Sequence, residues 1–259
     1  MPNTTFVAVG DVMVDVTASG VGHGARISLA PGGSAVNAAI WATVAGADAT
    51  VVGRVGDDLG GRALPTALQE RGVVSDFSVD LEAPTGTFLV VDGEIRADRG
   101  ANASFSLDYL PDPLEADVVF VSGYLPGPTV AEALERAEGT WVALAPALLD
   151  PLPHGANAIL VDDVEAARIT GSAPEEAARM LGERFRLACV TCGADGAVAM
   201  LDGRLETSRP EPVDNTGQVG AGDAFAAGLL VALARGAGLR DALDAGCGLG
   251  ATVAAGVSS

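Results

Sequence analysis

The chain contains no lysine. Its 15 basic residues are all arginines, set against 34 Asp and Glu for a formal net charge of −19. A Walker-type phosphate loop and a protein-kinase site each need a lysine on the phosphates, and a Schiff-base enzyme needs an amine, so all three chemistries are excluded. The acid excess would repel nucleic acid and anionic membranes, and neither is expected as a partner. Aromatic residues make up only 4%, so the core must be built from Ala, Val and Leu. The three cysteines fit a reducing compartment. Cys189 and Cys192 form a C-x-x-C in a stretch that reads as a strand. Residues three apart on a strand face opposite ways, so buried thiols are expected rather than a zinc or redox pair. Met1–Thr5 has no basic region before an apolar segment, and no apolar run approaches the ~20 residues that span a bilayer. A cytoplasmic protein is expected.

What is present is a 259-residue chain with 49% hydrophobic residues, 34 Gly and 14 Pro, enough for one large core and many turns. Short β-branched runs alternate with Ala- and Leu-rich helical stretches. Strands are read at Thr5–Gly10, Thr50–Val55, Asp117–Ser122, Trp141–Ala145, Ala158–Val161, Ala188–Thr191 and Ala197–Leu201. Helices are read at Ala35–Ala45, Leu59–Arg71, Thr129–Glu138, Asp163–Thr170, Pro174–Phe185, Ala221–Arg235 and Leu239–Val257. That alternation predicts a three-layer αβα fold on a mostly parallel sheet, with ligands at the carboxyl ends of its strands. Two stretches break the pattern: Val12–Leu29 lacks helical periodicity, and Gly86–Arg99 reads as a hairpin about Asp92-Gly93. Together they predict a small β-sheet projecting from a single domain spanning residues 1–259.

The most informative stretch is Gly220-Ala221-Gly222-Asp223, which opens onto the apolar run Ala224–Val231. Small residues let backbone approach a ligand closely, and the free N–H groups of a helix start favour anions. A carboxylate at that mouth is placed to take a proton from a hydroxyl attacking a phosphate. The pattern points to phosphoryl transfer, with backbone amides, arginine and a metal ion supplying positive charge in place of lysine.

Five blocks, in order, resemble the ribokinase-like (PfkB) carbohydrate kinase family: Gly10–Asp15, Pro31–Ala39, Gly53–Gly60, Thr191–Gly196 and Gly220–Phe225. The resemblance covers nearly the whole chain. It implies the ribokinase-like fold with a β-lid over residues 12–29 and 86–99, and transfer of the γ-phosphoryl of ATP, with Mg²⁺, to a hydroxyl of a sugar or other polyol. It implies Asp223 as base, with Gly220, Ala221 and Gly222 forming an amide anion hole. Asp15, Gly32, Gly33 and Asn37 would hold the acceptor. Thr191, Gly193 and Gly196 would hold the nucleotide with Asp162, and Glu165 with Asp162 would serve the metal. Arg99 is either a contact to an acidic substrate group or the transferring phosphate, or a surface arginine. Asn102 is either an acceptor contact or a turn residue.

Three departures accompany the resemblance. Asp162-Asp163-Val164-Glu165 carries a carboxylate where the family often has Asn, which keeps an acceptor but loses a donor. Gly217-Gln218-Val219 replaces the usual Asp-Thr-Thr before Gly220, with Asp214-Asn215-Thr216 three residues earlier. The chain is also shorter than most relatives, and a compact lid favours a homodimer that shields the site. The other readings are a nucleoside kinase, with Phe88, Phe105 and Tyr124 as candidate base-stacking residues, and a catalytically silent binding protein that kept the fold.

Overall fold

A computed structural model describes residues 3–106, 108, 112–209 and 219–256. Among these, nine strands form one sheet. In chain order they are β1 (Thr5–Val9), β4 (Asp48–Gly56), β5 (Val74–Asp80), β9 (Val118–Ser122), β11 (Trp141–Ala145), β12 (Ala158–Asp162), β13 (Leu187–Thr191), β14 (Ala197–Leu201) and β15 (Arg204–Ser208). Their spatial order is β15-β14-β13-β12-β11-β9-β1-β4-β5. The seven strands from β13 to β5 are parallel, and β14 and β15 join antiparallel at one edge.

The central strands are buried on both faces, which is why they read as continuous Val/Phe/Ala runs. Side chains alternate across the sheet. Phe6, Ala8, Val118 and Phe120 enter one core, shared with α1 (Ser34–Val44), α2 (Leu59–Gln69), α6 (Ala221–Ala234) and α7 (Leu239–Ala254). Val9, Val119 and Val121 face the other side and pack with α3 (Gly127–Arg136). Ile159, Val161, Ala188 and Val190 pack there with α4 (Asp163–Thr170) and α5 (Pro174–Gly182). Helix α6 is apolar almost all round because it lies inside the molecule against both α1 and α7. A Cβ on its Gly228 would come within 2.9 Å of the Ala245 carbonyl oxygen on α7, so glycine sets how closely those two helices approach.

A separate four-stranded sheet, in the order β3-β2-β6-β7, is built from β2 (Met13–Ser19), β3 (Arg26–Gly32), β6 (Gly86–Val91) and β7 (Glu94–Asp98). Asp92 and Gly93 join β6 to β7 with φ of 47° and 87°, the mirror-type turn expected of a two-residue hairpin.

Several boundaries differ from the sequence reading. Strand β5 was not anticipated, because Val74–Asp80 mixes polar and apolar residues as an edge strand does. Strand β15, the opposite edge, is half polar for the same reason. Helix α3 stops at Arg136 because Ala137–Glu138 (β10) pairs instead with Leu114–Glu115 (β8). Helix α5 stops at Gly182, three residues short of Phe185. The end of the last expected helix, Val257, lies outside the described residues. Cys189 enters the α1/α6 core and Cys192 packs on the opposite one, both as free thiols.

Candidate active site

A cavity of about 600 Å³ opens at the carboxyl end of the parallel strands, roofed by the small sheet. Asp11 follows β1, Gly123 and Tyr124 follow β9, and Leu148 and Leu149 follow β11; all line it. Met13 and Asp15 come from β2, Phe88 from β6 and Ala97 from β7. Two helices begin at this cavity. Gly33 caps α1 with φ of 98° and Gly220 caps α6 with φ of 92°, and neither glycine has a side chain to cap with. Asp11 takes the first N–H of α1, from Ser34, and the positive ends of both helix dipoles face the same space.

The left-handed turns are enforced by close packing. A Cβ on Gly33 would lie 2.3 Å from the Asp11 carbonyl oxygen, and one on Gly220 would lie 3.1 Å from Asn37 Nδ2. A Cβ on Gly32 would lie 1.9 Å from Asp15 Oδ1, so Gly32 is what lets that carboxylate turn in. Gly222 is the opposite case. Nothing lies within 4 Å of a Cβ built there, so the backbone of α6's first turn faces open cavity.

Three carboxylates, Asp11, Asp15 and Asp223, line this cavity. Asp11 is buried; its Oδ2 accepts from Ser34 N at 3.0 Å and its Oδ1 from Ser122 Oγ at 2.9 Å. Burial still pushes its pKa upward, against those hydrogen bonds. Asp223 Oδ1 accepts from Ser34 Oγ at 2.7 Å and Oδ2 from Asn37 Nδ2 at 3.2 Å. Burial raises Asp223 to about 7, the Ser34 hydrogen bond opposes this, and the charge of Asp11 adds to it. Asp15 is raised to about 6 by burial and then by Asp11. Its Oδ1 is buried without a hydrogen-bond partner. A buried acceptor without a donor is costly, and this one borders the cavity.

The other predicted residues fall into two groups. Gly220, Gly222, Asp223, Asn37, Gly33, Asp15, Arg99 and Asn102 line the cavity; Ala221 is the first residue of α6, and Gly32 underlies Asp15. Asp15 sits on the small sheet's first strand and not at the end of β1, because the chain breaks at Gly10. A Cβ there would lie 2.6 Å from Ser122 Cβ. Asn37 binds Asp223 as well as facing the cavity. Asn102 has its side chain occupied by backbone: Oδ1 accepts from Val12 N at 2.9 Å, and Nδ2 donates to the carbonyls of Val12 at 2.9 Å and Arg99 at 3.0 Å. It fastens two entries to the small sheet. Arg99 Nη2 donates to the Tyr124 carbonyl across the cavity wall.

The second group lies at the ends of the next two strands. Thr191 ends β13 and pairs in register with Asp162, which ends β12. Gly193 and Gly196 follow with φ of 55° and 91°. Asp162 and Glu165 form a reciprocal capping box on α4: Glu165 N donates to Asp162 Oδ1 at 2.7 Å and Asp162 N to Glu165 Oε2 at 3.1 Å. Burial raises the Glu165 carboxyl, and the charge of Asp162 adds to it. Tyr124 links the two groups electrostatically. Burial raises its phenol, and Glu165, Asp223, Asp11 and Asp162 all push it the same way. Among the described residues no three His, Cys, Asp or Glu side chains gather as a metal-holding set. A divalent ion beside Asp162 and Glu165 would therefore be shared with water or phosphate oxygens, which suits Mg²⁺. The loop residues Asp214–Gln218 lie outside the described residues, and Val219 lines the cavity.

Sequence reasoning missed Ser34, Asp11 and Ser122. Asp11 and Ser34 stood inside quoted motifs, but only the fold brings them to Asp223. Of the three aromatic candidates, Phe88 and Tyr124 line the cavity, whereas Phe105 is buried in the α3 core.

Comparison with known proteins bears on family and fold. The chain is 31% identical over 266 residues to a fructokinase of Klebsiella pneumoniae, covering 90% of this chain and 85% of that protein. Its fold superposes on a ribokinase of Thermotoga maritima with a TM-score of 0.84 at 20% identity, covering 99% and 94% of the two chains. It superposes on an adenosine kinase of Sinorhizobium meliloti with a TM-score of 0.85 at 19% identity, covering 99% and 95%. Residues 3–258 match the family model of the pfkB family carbohydrate kinases, and the chain belongs to that family.

Proposed function

We propose that this protein transfers the γ-phosphoryl of ATP to a hydroxyl of an uncharged sugar or polyol, with Asp223 as the base. The observation that carries the reading is the place of Asp223, in the first turn of a glycine-opened helix with Ser34 and Asn37 donating to its two oxygens, where burial also raises its pKa to about 7. A base with that pKa is charged enough to accept a proton near neutral pH and basic enough to hold it. In the step, the acceptor O–H bond breaks and its proton passes to Asp223. The acceptor oxygen bonds to the γ-phosphorus, whose bond to the β,γ-bridging oxygen breaks to release ADP. The N–H groups of Ala221, Gly222 and Asp223 face the charge that builds on the transferring group. Asp162 and Glu165 would hold a Mg²⁺ ion, which would neutralise charge on the phosphates.

Asp15, with its partnerless Oδ1, and Asn37 supply acceptor and donor for the polyol. Three carboxylates against a single arginine on the cavity wall favour an uncharged acceptor over a sugar acid or sugar phosphate. The small sheet acts as a lid that excludes water. It also carries a homodimer contact: Ile27 and Leu29 are exposed on β3, on the face opposite Asp15 by strand register. The free cysteines support a reducing, cytoplasmic setting. A nucleoside acceptor is the second reading, carried by Phe88 and Tyr124 on the cavity wall.

The test is ADP release from ATP and Mg²⁺ across sugars, sugar acids, sugar phosphates and nucleosides, with Asp223→Asn as the control. Turnover on an uncharged class is expected, falling about 100-fold or more in the variant. Full turnover in Asp223→Asn would remove the base, and preference for a charged acceptor would remove the electrostatic reading.

A further inference from the structure

Ser34 is the first residue of α1, and both its polar groups are used. Its N–H goes to Asp11 Oδ2 at 3.0 Å and its hydroxyl to Asp223 Oδ1 at 2.7 Å. Asp11 is in turn held from its other oxygen by Ser122 Oγ. Gly33 lets the start of α1 sit hard against the Asp11 backbone, where a Cβ would meet the carbonyl oxygen at 2.3 Å. Ser34 is itself buried, so its hydroxyl is fixed in place before any substrate arrives.

Three residues further along α1, Asn37 Nδ2 reaches the other oxygen of the same carboxylate at 3.2 Å. Positions i and i+3 share one face of a helix, so α1 presents two donors to the two oxygens of Asp223. A carboxylate's terminal torsion is broad and close to two-fold. A donor on each oxygen sets the plane of the group and leaves each oxygen a further lone-pair position. We propose that Ser34, locked by Asp11, is a positioning residue for phosphoryl transfer: its hydroxyl fixes the plane of the Asp223 carboxylate so that a free lone pair faces the acceptor hydroxyl. This rests on Asp223 being the base. Ser34 keeps its own proton throughout, because the proton that moves is the acceptor's and it ends on Asp223.

The arrangement has a pH signature. The titratable and charged groups facing Asp223 are Asp11, Asp15 and the Tyr124 phenol, with the Arg99 guanidinium on the same cavity wall. Asp11 and Asp15 raise the Asp223 pKa, while the Ser34 hydroxyl stabilises the charged form and lowers it. Removing the hydroxyl therefore moves that pKa upward, and the acidic limb of the kcat/KM profile moves to higher pH.

The experiment compares Ser34→Ala, Ser34→Thr and Asp223→Asn with the unaltered enzyme, measuring kcat, both KM values, pH profile and melting temperature. Ser34→Ala is expected to lose roughly ten- to a hundredfold in kcat, as a misaligned catalytic group does. Its KM values should stay near those of the unaltered enzyme, and its acidic limb should move upward. Ser34→Thr, which keeps the hydroxyl, should recover most of kcat and return the limb. Unchanged kcat and an unmoved limb in Ser34→Ala, with Asp223→Asn inactive, would overturn the positioning role and leave the base in place. A raised acceptor KM with kcat intact would also overturn it, by assigning the hydroxyl to substrate binding. Turnover in Asp223→Asn would instead remove the base itself.

Discussion

Asp15 shows how function and stability compete at single residues in this cavity. Its carboxyl is raised from 3.8 to about 6, so between those values the folded chain holds a proton that the unfolded chain has released. Stability contributed by this group is lost as pH rises from 3.8 through about 6, and above that the buried charge is a standing penalty. Asp15→Asn is therefore expected to melt at a higher temperature than the unaltered protein above about pH 6, with the gain shrinking towards 3.8. The same change should raise the acceptor KM sharply while leaving that for ATP nearly unchanged. Thermal melts across pH and steady-state kinetics check both halves. A variant no more stable at neutral pH would show that the charge costs the fold nothing. Residue types were legible here and their partners were not. The Gly-Ala-Gly-Asp turn and the Gly32-Gly33 pair are local patterns, so sequence found them. The bond from Ser34 to Asp223 joins residues 189 positions apart, and no local spacing encodes it. Asn102 stayed open between an acceptor contact and a turn residue, because the bonds that occupy its side chain come from the backbone of Val12 and Arg99.

Among the elements, the first turn of α4 joins an observed cap to the proposed metal role. Asp162 caps it through Glu165 N, and Glu165 returns the bond to Asp162 N. Capping needs only an acceptor, whereas attraction for a divalent ion needs charge. Asp162→Asn keeps the acceptor, so it should leave unfolding by denaturant unchanged while raising the Mg²⁺ concentration for half-maximal activity. Asp162→Ala loses the cap as well and should cost about 1 kcal/mol. An unchanged Mg²⁺ requirement in Asp162→Asn would leave Asp162 as a cap alone. This element was read from sequence with its observed bounds, Asp163–Thr170, because its cap and periodicity lie within ten residues. The edge strands β5 and β15 escaped because each buries little, and their alternation is diluted by polar residues.

For the molecule as a whole, the parallel order of the sheet was legible from strand–helix alternation alone. The shape of the small sheet was legible only as two irregular stretches. Strand β3 runs to Gly32, beyond the expected end at Leu29, since its last residues still pair with Met13 and Val14. That sheet leaves Ile27 and Leu29 in the open, and sedimentation velocity over a range of concentrations should show a dimer that Leu29→Glu dissociates. A single monomeric species at every concentration would remove the lid contact. The cavity also has a consequence for biosynthesis. Asp11 and Ser34 precede Asp223 by most of the fold, and among the described residues the turn that opens α6 follows every strand of the large sheet. A nascent chain thus makes the supports of the Asp223 carboxylate long before Asp223 itself. Fragments cut short anywhere before that turn lack the carboxylate on which the proposed transfer depends.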